Sequence, residues 1–448
     1  MSDIVGVIVS RAIDDLQDLI KSDKIKDTTY FEIKSKHYPS LEGYLALLPP
    51  IVDMFNSHSF KLSIVGNKFV ISISKLLELC EFKHFSSQAE LKEVLFAILE
   101  GLAKSTKALL INKDMIFQNL LPVLTSKLKS NVLDTRCECL KHFMAIIIQY
   151  LSEESVYDPQ ANTASTKLIN DTIIKLLLPN YGIILMDKDP IPLFGLALLN
   201  AILDRNQGFV SILNKIKLVG VMFEYFVVGH PRMNSNTVKI IKSFIESTEI
   251  TLEDLQSYDA FNKISIALEF MVENQIDNTA EDILDITIMV LKQFMNIMKT
   301  KSISASAAID TIPEQAMTIY RAIYKLTGPF NYIAKYFVSE VKDLVDKSSQ
   351  YMILILQLFG ARKCKDLNEI YIKNEHIQYL IDGLSSEDQS IQKRFLKCIL
   401  YGMKQKEKPL KLTSIQKEAM QEKLEKLKKS DDKSILSTTW EILKKINA

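Results

Sequence analysis

Turn-forming residues are scarce in this chain, with 13 glycines and 12 prolines among 448 residues. A sandwich or many-stranded sheet needs a turn about every 8–12 residues, so this supply argues against one. The five cysteines, Cys80, Cys137, Cys139, Cys364 and Cys398, are too few and too scattered for a disulfide framework, which points to a reducing compartment. Long apolar runs are missing too. No uncharged stretch exceeds fourteen residues, the length of 190–203, short of the roughly 20 that a membrane span takes. The start, "MSDIVGVIVSRAIDD", has an acid at position 3 and an apolar run too short for a signal peptide. An excess of one charge is also absent. The net charge is +1, so no global field selects nucleic acid or a membrane surface. These absences predict a soluble cytoplasmic protein with no membrane span and no nucleic-acid partner.

A 47% hydrophobic content is ample for a buried core, and few turns with many apolar residues suit long helices. Self-similarity organises them. "LPVLTSKLKSNVLDTRCECLKHF" (121–143) and "IQYLIDGLSSEDQSIQKRFLKCI" (377–399) match in apolar offsets: Leu121 with Ile377, Leu124 with Leu380, Leu128 with Leu384, Leu140 with Leu396 and Phe143 with Ile399. Each has a polar break, opening at Ser130 and Ser386. Apolar residues at i, i+3 and i+7 before the break make one helical face.

Upstream of the second copy, "EIYIK" predicts a short helix and Asn374–Glu375 a corner. "VSILNKIKLVGVMFEYFVV" (210–228) repeats that design, with its corner near Asn214–Lys217. A short helix, a corner and two packed helices describe an armadillo or HEAT unit of roughly 40–47 residues, which buries its face only by stacking. Further helices are predicted at 88–104, 236–246, 282–298 and 315–326, and exposed loops at 152–166 and 300–311. The expected fold is all-α, an armadillo/HEAT-like right-handed superhelical solenoid. Its expected parts are N-terminal repeats or a cap over 1–108, a repeat array over 109–402 and a Lys-rich helical cap over 403–448.

That last part holds 12 Lys and 7 Asp or Glu. Thr413 and Gln416 form a capping-box pattern, and Met420, Leu424 and Leu427 make a thin apolar stripe. A final helix carries Ile435, Leu436, Trp440 and Leu443. Such a pair caps a solenoid with a polar outer face.

The candidate chemistry is thin. In "DKDPIP", no His, Cys or Glu lies within ten residues of Asp187 and Asp189 to complete a metal site. A helix corner explains it better, with Asp189 as cap, Pro190 in the first helical position and Asp187 an exposed corner residue. In "CECLKH", Cys137 and Cys139 point about 200° apart on a helix and cannot share an ion, so they read as buried apolar residues. No Gly-rich phosphate cradle, kinase signature or nucleophile elbow is present. The chain is therefore expected to be no enzyme and to hold no cofactor.

Asn200, in "LALLNAIL", sits where peptide-binding armadillo proteins present a ladder asparagine. The helices near 139–148, 238–246 and 395–402 lack a matching Asn, and the array lacks Trp, so no importin-like grip is expected. Lys423, Lys426, Lys428 and Lys429 offer a basic face for an acidic partner, while Glu418, Glu422 and Glu425 suit ordinary pairing along the helix. Asn200 and these four lysines are the candidate partner-binding residues.

The run "LLLPNYGIILMDKDPIPLFGLALLNAILDRNQGFVSILNKIKLVGVMFEYF" (176–226) resembles the C-terminal armadillo region of Fused-type kinases, and most closely their pseudokinase relatives, the UNC-fifty-one-like kinase four family, called RUNKEL in plants. "LLLPNY", "DPIP" and "KLVGVMFEY" carry the resemblance, and 119–151, opening "NLLPVLTSKLKS", resembles the repeat before it. It covers about 110–250 most closely and extends to about 400. The 448 residues contain no kinase motif, so no nucleotide-binding residue carries over. The resemblance implies a non-catalytic scaffold in cilium, axoneme or microtubule assembly. Its implied partners are a Fused-type kinase, a kinesin, or axonemal and microtubule proteins. The alternative is a cytosolic adaptor or kinase regulatory subunit unrelated to cilia.

Overall fold

The structure, a computed structural model, describes residues 70–71, 73–74, 77–78, 88–300, 314–360, 367–368, 370–405 and 408–447. Among these there are helices and connections and no strand. The loop expected at 300–311 lies outside them except for Thr300, which ends a helix; Cys80 and Cys364 lie outside too. The fold is an all-α helical-repeat solenoid of armadillo/HEAT type, divided into two compact units, Met1–Asn206 and Gln207–Ala448.

In the first unit the described α-helices of six or more residues are α1 (Gln88–Lys104), α2 (Thr106–Ile111), α3 (Leu121–Ser126), α4 (Leu133–Ser152), α5 (Ala164–Thr172), α6 (Tyr181–Met186) and α7 (Ile191–Arg205). The long helices α1, α4 and α7 pack side by side as one layer, with α3 and α6 behind them. Periodicity sets the layering. On α4, Cys139, Leu140, Phe143, Ile146, Ile147, Tyr150 and Leu151 are all buried at helical spacing. Each fully buried Leu, Ile or Phe contributes about 1.5–3 kcal/mol. Tyr150 donates its hydroxyl to the Leu109 carbonyl of α2 at 2.6 Å, and Tyr181 of α6 donates to the Gly195 carbonyl of α7 at 2.8 Å. Gly195 permits that approach, because a Cβ there would sit 2.5 Å from the Ile184 methyl.

The two rear-layer segments share a local distortion. Ile116–Leu120 and Ile173–Leu177 are both π-turns, and each runs into a Leu-Pro pair, Leu121-Pro122 and Leu178-Pro179. Proline lacks the amide hydrogen and its ring clashes with the carbonyl four residues back, so the helix widens. The Leu121 amide accordingly donates to Ile116 and the Leu178 amide to Ile173, five residues back in each case. The run Ala164–Met186, of which this is the middle, is long and apolar enough to cross a membrane by length and composition. Ile169, Ile173, Leu177, Tyr181, Ile184 and Leu185 are nonetheless buried within the unit, as in a core helix.

The second unit contains α8 (Phe209–Lys215), α9 (Leu218–Tyr225), α10 (Ser235–Glu246), α11 (Leu252–Ser257), α12 (Ala260–Glu273), α13 (Asp277–Thr300), α14 (Glu314–Ile323), α15 (Phe330–Ile333), α16 (Lys342–Phe359), α17 (Ile377–Gly383), α18 (Gln389–Lys404), α19 (Ser414–Leu427) and α20 (Lys433–Asn447). Helices α10, α13, α16, α18 and α20 form a continuous row, each packed on the next, and α9, α12, α17 and α19 pack against its members from behind. The row helices begin 42, 65, 47 and 44 residues apart, close to the armadillo/HEAT period of roughly 40–47 except where 301–313 intervene.

The corners are chemically regular. Lys217 and Asp259 both adopt the left-handed conformation (φ 61° and 53°) between a short helix and the helix behind the row. The corner expected near Asn214–Lys217 is therefore present. The short helix expected at "EIYIK" is not, since 370–373 is irregular, with β-branched Ile370 and Ile372 flanking Tyr371. Before the long helices, Ser130, Ser339, Ser386 and Ser430 each accept, at 3.1–3.2 Å, the amide two residues on. In each case the helix starts three residues after the serine. Thr413 and Gln416 form the expected capping box.

Candidate interaction surfaces

The "DKDPIP" corner differs from its sequence reading in two ways. Pro190, not Asp189, holds the cap position of α7, and no side chain caps that end. The Asp189–Pro190 bond is cis, and Pro192 falls in the first turn. Asp187 is no exposed corner residue. Arg136, one turn into α4, grips it with Nε and Nη2, both at 2.7 Å, and the side chains are only 16% and 10% exposed. Arg136 also donates to the Ser130 carbonyl at 2.8 Å. One guanidinium thus ties the corner before α4 to the corner after α6. The Arg136 hydrogen bonds hold the Asp187 carboxyl below its usual range.

In the second unit the row helices are cross-linked by charge. Lys347 of α16 donates to Glu281 (2.6 Å) and Asp285 (2.9 Å) of α13, and Lys242 of α10 reaches the same Asp285 at 2.8 Å. Burial works against the charge on Lys347, but its carboxylate partners outweigh that and raise its pKa. Arg394 of α18 meets Asp346 of α16 at 2.6 Å, Lys393 meets Asp432 at 2.6 Å, and Lys404 meets Glu441 of α20 at 2.5 Å. These pairs hold neighbouring repeats in register and carry no reactive group.

The sulfur and imidazole groups are packed. Cys139 and Cys398 are buried, and Cys137 is half-buried rather than fully so. Burial pushes the Cys398 thiol up to about 12 and raises that of Cys137, so both stay protonated and unreactive. His142 is 2% exposed and stacks on Phe96 at 5.7 Å, and burial lowers its pKa to about 4. Among the described residues no three His, Cys, Asp or Glu are placed to hold a metal ion.

Asn200 is half-buried on α7. Lys426 pairs with Glu422 at 2.8 Å, and Lys428 pairs with Glu425 at 2.5 Å while lying over the Trp440 ring at 4.6 Å. Lys423 donates to Ser385 beyond α17, and Lys429 is exposed. Trp440 is 56% exposed, so the α20 stripe is instead completed by Ile435, Thr439, Ile442, Leu443 and Ile446. Sequence reasoning missed the Arg136–Asp187 pair. Its signal was an arginine in the first turn of one repeat and an aspartate in the next corner.

The fold and its surfaces are those of a helical-repeat protein of the kind that mediates protein interactions. The comparisons narrow this. The model for HEAT repeats of serine/threonine-protein kinase ULK4-like proteins matches residues 13–211. Serine/threonine-protein kinase RUNKEL of Arabidopsis thaliana is 24% identical over 250 residues, 56% of this chain and 18% of that protein. Serine/threonine-protein kinase ULK4 of Mus musculus is 23% identical over 234 residues, 47% of this chain and 18% of that protein. The chain therefore spans under a fifth of the length of these relatives. A crystal structure of an engineered protein superposes with a TM-score of 0.51 at 11% identity, covering 100% of this chain and 95% of the other, a likeness of fold alone. The chain carries a HEAT/armadillo-type repeat region related, at low identity, to the ULK4/RUNKEL-like kinase family. The match reaches back to residue 13, well before the stretch on which the sequence resemblance rests.

Proposed function

We propose that the chain is a protein-interaction scaffold of cilium, axoneme or microtubule-associated structures. On this reading it presents its repeat surfaces to a Fused-type kinase, a kinesin, or axonemal and microtubule proteins. The observation that carries the proposal is the ULK4-like HEAT match over 13–211, on a fold that offers surface rather than a reactive site. Asn200, Lys423, Lys426, Lys428 and Lys429 are then partner-facing. Because Lys426 and Lys428 already hold glutamates, an acidic partner must displace Glu422 and Glu425 to reach them.

The test is fractionation of ciliated cells expressing the tagged chain. Retention with detergent-extracted axonemes, with recovery of microtubule or kinase partners by proximity labelling, is expected. Quantitative recovery in cytosol, with partners unrelated to cilia, would replace this reading with the cytosolic adaptor.

A further inference from the structure

One outward face in the second unit departs from its equivalents. On α17 and α19, behind the row, the outward positions are polar, Gln378 and Asp382, then Glu418, Glu422 and Glu425, and the one exposed apolar side chain there, Ile415, stands alone in the first turn of α19. On α12 they are Ile266 and Phe270, one turn apart, exposed by 50% and 38%. Ile276, just beyond the helix end, is also exposed. The core does not need these side chains, since α12 already buries Phe261, Ile264, Ala267, Leu268, Met271 and Val272 on its other side.

Charge at this face is equally one-sided. Glu269 and Glu273 flank Phe270 in the last turns of α12, whose final turn holds no basic residue. Carboxylates at a helix C-terminus oppose the helix dipole, so helix stability does not account for them. The Tyr332 hydroxyl lies beside both, and their negative charge, that of Glu269 first, raises its pKa. Lys263, the nearest cation on α12, is turned away and donates to the Phe223 carbonyl at 3.0 Å.

The geometry points to the α12 face formed by Ile266, Phe270 and Ile276, with Glu269, Glu273 and Tyr332 at its edge, as the docking surface for a basic amphipathic helix of a partner protein. The occupant follows from complementarity. An aliphatic stripe at i and i+4 seats on Ile266 and Phe270, and a Lys or Arg beside it meets two carboxylates and the negative end of the helix. This deepens the scaffold reading and rests on it.

The test titrates the full chain into a labelled Leu/Lys amphipathic helix of about 18 residues, five turns, followed by fluorescence anisotropy. Controls are the same peptide with Glu for Lys and a peptide with scrambled pattern. Saturable binding of the Leu/Lys helix alone is expected. It should weaken about tenfold or more in Phe270→Ser and in Glu269→Lys/Glu273→Lys, and weaken in about 0.5 M salt. Circular dichroism should show both variants folded, as expected for exposed positions. Gln378→Ala, on the outward side of α17, should leave binding unchanged. Equal binding of the Glu peptide, unchanged affinity in both α12 variants, or no binding would each overturn the proposal. So would a dimer of the chain that Phe270→Ser dissolves, which makes a second copy the occupant. Proximity labelling with Phe270→Ser separates the two levels. A protein partner set unchanged by the substitution sinks the α12 surface and leaves the scaffold standing, whereas a wild-type chain that labels no protein partner sinks both.

Discussion

Replacing Arg136 by alanine tests how far corner chemistry holds the first unit together. The substitution removes two charge-assisted hydrogen bonds to Asp187 and one to the Ser130 carbonyl. Asp187 keeps the Lys188 amide at 2.7 Å, so it is left partly, not wholly, unpaired. A fully buried pair broken on one side costs about 3–5 kcal/mol. Partial exposure lets water replace some of that, which leaves about 2 kcal/mol for Arg136→Ala. Asp187→Ala should cost less, and the double-mutant cycle should return a coupling of about 1–2 kcal/mol by urea unfolding. The coupling should depend on pH. Arg136 holds the Asp187 carboxyl below its ordinary value, so the contribution is complete above the unfolded value of about 3.9 and is lost as pH falls through the lower folded value. Additivity within about 0.3 kcal/mol at neutral pH would refute the reasoning and reduce the pair to a solvated surface contact.

His142 gives a pH response from burial rather than from pairing. Its folded pKa, about 4, lies below the unfolded value near 6.5, so the unfolded chain binds the proton first. Stability should be complete above about 6.5 and fall as pH drops towards about 4, by on the order of 3 kcal/mol across the window. His142→Phe, measured by urea unfolding against pH, should flatten that limb. Tyr150→Phe should cost about 1 kcal/mol by leaving the Leu109 carbonyl without its 2.6 Å donor, and an unchanged midpoint would show that water takes the donor's place. Gly383→Ala should cost about 1–3 kcal/mol, since its Cβ would meet the Phe395 ring at 2.5 Å; a neutral substitution would mean that α17 and α18 separate readily. Deleting 411–448 should uncover the α18 face that α20 packs against, raising dye binding and aggregation, whereas an unchanged, soluble truncation would favour a binding tail over a cap.

How much was legible in the sequence depended on range. Helical faces were readable because a 3.6-residue period is local, and the match of 121–143 to 377–399 found true repeat corners at Ser130 and Ser386. The same serine motif also precedes α16 and α20, at Ser339 and Ser430, and was open to the same reading. The π-turns were announced by the repeated Leu-Leu-Pro at 120–122 and 177–179, though proline alone does not say whether a helix breaks or widens. The 152–166 stretch reads as an exposed loop by composition, yet Tyr157 is buried, bonded to Asn170 and Asn206 at 3.0 Å each. Such pinning is long-range and leaves no local pattern. Asp187 was misread for the same reason, its partner lying 51 residues away. The α12 face is written locally, as "SIALEFMVE", but its apolar outer side becomes visible only once the opposite side is seen to be filled.

On the proposed scaffold reading, this helical-repeat chain acts by binding other proteins. The most direct measurement is native size-exclusion of cell extract, with quantitative mass spectrometry of the fractions that hold the chain. Elution in an assembly well above the monomer is expected, with at least one protein partner at constant stoichiometry across the peak. Elution as a bare monomer, from which the purified chain shows reproducible turnover in substrate screens, would contradict that reading.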